Sequence, residues 1–91
     1  MSTTNPSTTI PLARVRRIAK ADPDTNNISK PALAVLSHIT VLFTETLTKE
    51  SYKFCEQSNR KTLQYGDVAQ ACHEIDQFDF LEEVVPKTKI A

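Results

Sequence analysis

The stretch SKPALAVLSHITVLFTETLTKESYKFCEQS, residues 29–58, decides the architecture of this 91-residue chain. Ser29 is a good helix N-cap, and Pro31 falls in the first turn, where a missing N–H is tolerated. From Ala32 to Tyr65 no Gly or Pro interrupts the run. A helix over Ser29 to Ser58 is ~45 Å long at 1.5 Å per residue. A compact globule of the ~77 residues expected to be ordered is only roughly 30 Å across, so the helix overhangs anything this chain can build around it.

On a helical wheel Ala32, Val35, Leu36, Ile39, Leu42, Phe43, Leu47 and Phe54 form one apolar stripe, wide enough for a core face. Leu33, Val41, Tyr52 and Cys55 lie outside it, which leaves a narrow polar surface around His38, Glu45, Lys49 and Glu56. Two short helices cannot cover so much of so long a rod. A second chain is therefore expected to bury the remainder, as in obligate dimers. Val35, Leu36, Ile39, Leu42, Phe43, Leu47 and Phe54 are the expected dimer interface.

Outward from this helix the pattern stays helical. Toward the N-terminus, IPLARVRRIAK carries Leu12, Val15, Ile18 and Ala19 at helical spacing, with Pro11 suited to the first helical position. ADPD at 21–24 ends that helix. Residues 1–9, rich in Ser and Thr, are expected to be a disordered leader. Past Ser58 the pattern breaks at NRKTLQYGD and resumes near Asp67 with Val68, Ala69, Ala71, Cys72 and Ile75. A last short helix is expected over 77–86, ended by Pro86, before a tail at 87–91. The chain reads as all-α: short helix, long helix, short helix, C-terminal helix.

Eleven basic and eleven acidic residues give zero net charge, but they are sorted along the chain. Arg14, Arg16, Arg17 and Lys20 lie in the first twenty residues with no acid among them. Asp67, Glu74, Asp76, Asp79, Glu82 and Glu83 follow one another with no Lys or Arg between. The zero average thus conceals a basic end and an acidic end. Arg16, Arg17 and Lys20 fall toward one side of the first helix, and guanidinium groups suit phosphate. A solvated polar face is the plainer reading of the same residues.

Other function classes are excluded or unsupported. No uninterrupted stretch approaches the ~20 apolar residues of a membrane span. Cys55 and Cys72, seventeen apart without a CxxC pair, are expected to be core residues of a protein from a reducing compartment, with no metal and no cofactor. Ser, His and Asp occur without a nucleophile elbow or a Gly-rich phosphate loop, so no catalytic residue is assigned.

Three separated segments, IPLARVRRIAKADPD, NRKTLQYGDVA and IDQFDFLEEVVP, resemble in order and spacing the histone-fold family that contains the C subunit of nuclear factor Y. That family also holds the smallest histone-fold subunit of DNA polymerase epsilon and its counterpart in chromatin accessibility remodelling complexes. The similarity covers about residues 10–87. The RKTLQ segment is most similar to the polymerase epsilon member, with the remodeller member close behind, and DQFDFL also resembles the nuclear factor Y member.

The resemblance implies a histone fold over residues 10–76, paired head to tail with a second histone-fold subunit. It implies a nuclear, non-catalytic protein that holds double-stranded DNA through its backbone, without strong sequence preference, and tethers a larger catalytic subunit. That larger protein is the polymerase first and a nucleosome-sliding remodeller second; a CCAAT-binding transcription factor is the third setting. The DNA contacts implied are Arg14, Arg16, Arg17 and Lys20 on the first helix, with Lys30 and Lys61 at the two loops. Arg60 and Asp67 are implied to pair structurally across the second loop and third helix. The acidic C-terminal segment reads three ways: simple packing on its own fold, a patch for basic histone proteins, or a docking surface built from Phe78, Phe80, Leu81, Glu82 and Glu83. The interleaving of aromatics and acids favours docking.

Overall fold

The computed structural model describes residues 9–87, so the leader expected over 1–9 and the tail over 87–91 lie outside the described residues except for Thr9 and Lys87. Among the described residues the chain is all-helical: α1 (Leu12–Ala19), α2 (Lys30–Gln57), α3 (Tyr65–Glu74) and a 3-10 helix (Asp76–Leu81). They fall into two compact units divided between Thr44 and Glu45, and α2 contributes to both.

In the first unit, Pro11 stands one position ahead of the helix, with extended ψ, and its carbonyl accepts the N–H groups of Arg14 and Val15 at 3.0 and 3.2 Å. Its fixed φ thus serves the N-cap instead of the first helical residue. α1 stops at Ala19, and the Asp22 carboxylate accepts the Asp24 N–H at 2.9 Å to turn the chain. The Ser29 hydroxyl accepts the Ala32 N–H at 3.2 Å, capping α2.

The face that α2 turns inward here differs from the expected one. Leu33, Ser37 and Val41, four residues apart, are buried together with Val15 of α1. Val35, Leu36, Ile39 and Leu42 are exposed, Val35 by 57% and Ile39 by 54%. The apolar stripe is therefore not the chain's own core face, and Leu33, Val41 and Cys55 need no second chain to bury them. The wheel misread the face because Ser37 counts as polar. Its hydroxyl donates to the Ile10 carbonyl at 3.0 Å, which removes the cost of burying it.

In the second unit α2 ends in a Schellman motif: the Arg60 N–H reaches the Cys55 carbonyl and the Asn59 N–H reaches that of Glu56. Asn59 takes the left-handed conformation this requires, at φ 57°. The core combines Ser51 and Cys55 of α2, Ala69, Ala71 and Cys72 of α3, and Phe78. α3 begins at Tyr65, two residues ahead of the expected start, because the Asp67 carboxylate reaches back to the Gln64 N–H at 2.9 Å. The expected α-helix over 77–86 is replaced by the 3-10 helix, followed by turns in which the Leu81 carbonyl takes the N–H groups of Val84 and Val85. Like-charged Asp76, Asp79, Glu82 and Glu83, three and four apart, disfavour extending it as an α-helix.

α2 is long and apolar enough, by length and composition alone, for a membrane span, with an 18-residue window of mean hydropathy 1.3, a property that core helices of soluble proteins share. This corrects the expectation that no stretch qualifies. Counting uninterrupted apolar residues missed it, because Ser37, His38, Thr40 and Thr44 break the run without making the window polar on average.

Candidate nucleic-acid interface

α1 is short, and Val15 is its only buried residue. Arg14, Arg16, Arg17 and Lys20 are all exposed. Arg16 and Arg17 fall in the last turn, where cations offset the partial negative charge of the helix C-terminus. The following loop approaches the same end of the helix. Arg16 and Lys20 at that end and Asn27 and Ile28 of the loop together line a polar hollow of about 130 Å³. Lys30, the first residue of α2, is exposed just beyond the Ser29 cap.

In the second unit the loop between α2 and α3 is tightly tied. The Tyr52 hydroxyl donates to the Lys61 carbonyl at 3.0 Å, and the single proton of the Cys55 thiol is shared between the carbonyls of Arg60 and Thr62. This leaves the Lys61 side chain exposed on a fixed backbone, beside a cleft lined by Tyr52, Glu56, Asn59 and Arg60.

Arg60 is not free to serve with it. Its guanidinium makes a two-pronged bond to Asp67, at 2.8 and 2.6 Å, and also donates to the Thr62 carbonyl at 3.2 Å. The Asp67 side chain is nearly buried. Hydrogen bonds from Arg60 and then from the Gln64 N–H hold its carboxyl down to about 2, against the opposing effect of burial. The same Asp67 bond raises Arg60. The structure therefore brings Arg60 and Asp67 together and places Lys61 outward.

Of the remaining sequence-expected residues, Phe43, Leu47 and Phe54 are half-buried. Phe78 is 2% exposed and cannot anchor a partner, which removes it from the expected docking set. Phe80 and Val84 are displayed instead, 68% and 73% exposed, with Glu82 and Glu83 exposed and Leu81 half-buried. The segment carrying them is pinned to α3: the Tyr65 hydroxyl donates to the Pro86 carbonyl at 2.7 Å, and the His73 Nε2–H to that of Val85 at 2.8 Å. Cys55 and Cys72 are buried free thiols, and burial pushes Cys72 up. No group of three metal-ligating side chains occurs among the described residues.

Sequence reasoning missed Asn27 and Asn59. Asn59 carried a signal, since Asn just past a helix tolerates the left-handed conformation. Asn27 carried none, being one polar residue in a polar loop.

Residues 8–72 match the family model described as histone-like transcription factor (CBF/NF-Y) and archaeal histone. The chain is 42% identical over 73 residues to DNA polymerase epsilon subunit 4 of Homo sapiens, covering 80% of this chain and 62% of that one. It is 41% identical over 78 residues to the C-3 subunit of nuclear transcription factor Y of Arabidopsis thaliana, covering 86% of this chain and 36% of that one. The chain thus spans less than two thirds of the length of these relatives.

Proposed function

We propose, from the premise that this chain belongs to the family of histone-like transcription factors (CBF/NF-Y) and archaeal histones, that it is a non-catalytic subunit that pairs with a second histone-fold chain, the pair holding duplex DNA by its backbone in the nucleus. The observation that carries this is the exposure of Val35, Leu36, Ile39 and Leu42 along one long helix. Four large aliphatic side chains within eight residues make a face of the kind that a second chain covers. Exposed cations on α1 and at both loops supply the phosphate contacts, and backbone contacts of this kind give sequence-tolerant binding.

The assembly we favour is DNA polymerase epsilon, with the pair tethering the catalytic subunit to newly copied DNA. Support comes from the RKTLQ segment and from the 42% identity to subunit 4 of that polymerase. A CCAAT-type transcription factor is the second reading, supported by the equally similar nuclear factor Y subunits; a nucleosome-sliding remodeller is the third. The pinned segment displaying Phe80, Val84, Glu82 and Glu83 is the surface offered to the larger subunit, with basic histones as its other candidate ligand.

The deciding experiment is recovery of the tagged chain from native nuclear extract at moderate salt, followed by mass spectrometry. A second histone-fold protein together with the polymerase catalytic subunit is the expected result. A remodelling ATPase, or a promoter-reading subunit, in place of the polymerase moves the chain to the corresponding rival assembly. A folded monomer recovered alone overturns the pairing itself.

A further inference from the structure

The hollow at the C-terminal end of α1 joins side chains from two elements. Arg16 and Lys20, four residues apart, share one side of the helix, and the loop places Asn27 beside them. At about 130 Å³ the hollow equals the liquid volume of roughly four waters, enough for one tetrahedral oxyanion. No carboxylate lines it. The Arg16 and Ile18 carbonyls at that end take the N–H groups of Lys20 and Ala21, and one oxygen of the exposed Asp22 carboxylate takes the Asp24 N–H. Neither Arg16 nor Lys20 is in an ion pair among the described residues.

We propose that Asn27 is a third, uncharged phosphate ligand, completing with Arg16 and Lys20 a seat for one backbone phosphate of duplex DNA. This rests on the DNA-binding reading above. The Asn amide presents two N–H donors and no charge. Its contribution is therefore a hydrogen bond to an anion that displaces no counterion, whereas each Arg or Lys contact releases one.

The two kinds of contact separate experimentally. The chain is paired with its histone-fold partner, and binding to a mixed-sequence duplex is measured across a salt series. Asn27→Ala is expected to weaken binding about tenfold at every salt concentration with the slope of log affinity against log salt unchanged. Arg16→Ala is expected to weaken it and flatten the slope by about 0.9. Asn27→Ser, which keeps a short donor, is expected to recover part of the loss. Wild-type affinity in Asn27→Ala beside a weakened Arg16→Ala overturns the seat and leaves the DNA-binding reading standing. A flattened slope in Asn27→Ala overturns the uncharged-ligand role. A wild-type pair that does not bind the duplex overturns both.

Discussion

Asp67 ties together the Arg60 guanidinium, the Gln64 N–H and the first turn of α3, and the consequence appears in acid. Its folded value of about 2 lies below the ordinary 3.8. Folding therefore favours the ionised form, and the stability it contributes is fully present above pH ~4 and lost as the pH falls through about 2. Replacing it, Asp67→Asn, is expected to lower the melting temperature at neutral pH, with the difference from wild type narrowing between pH ~4 and 2. A gap of constant size down to pH 2 contradicts the ionised pair. The residue types at this site were legible in the sequence as an arginine and an aspartate seven apart in a family resemblance. Their two-pronged geometry was not, because it depends on Asn59 and the loop reversing the chain at the end of α2.

At the scale of the element, α2 presents two faces with different work. Leu33 is buried in the chain's own first unit, so Leu33→Ala is expected to cost about 2–5 kcal/mol in denaturant titration, with pairing retained at high concentration. Ile39 is more than half exposed in the single chain, so Ile39→Asp leaves that core intact but places a charge on the face proposed to meet the partner. It is expected to abolish pairing, read as a shift to monomer mass by light scattering. A fully associated Ile39→Asp variant shows that the interface lies elsewhere. The existence, cap and length of α2 were legible because Ser29, Pro31 and the absence of glycine act locally. Which face turned inward was not. That choice rests on Ser37 meeting the Ile10 carbonyl, a contact between residues 27 apart, and no wheel carries it.

At the scale of the whole molecule, charge is segregated along a chain with zero net charge, and each end has its own work. Exposed arginines on a helix with one buried residue add almost nothing to the core, which leaves them available for the phosphate contacts proposed above. Six of the eleven acids fall between Asp67 and Glu83 with no Lys or Arg among them, and in the C-terminal part of that run the pinned backbone holds the segment that carries Phe80 and Val84. This division was legible from composition once the charges were placed in order, whereas the 3-10 form of the acidic segment was not, since it follows from crowding among those same charges. The test of the division is Arg16→Ala with Arg17→Ala in the paired protein. Removing two phosphate contacts is expected to reduce the salt slope by about 1.8 and to weaken binding uniformly across duplex sequences. Pair mass and recovery of the larger subunit are expected to stay unchanged, because neither arginine belongs to the displayed stripe or to the acidic segment. Loss of the larger subunit in this variant, with pair mass intact, shows instead that the basic end also carries the assembly contact.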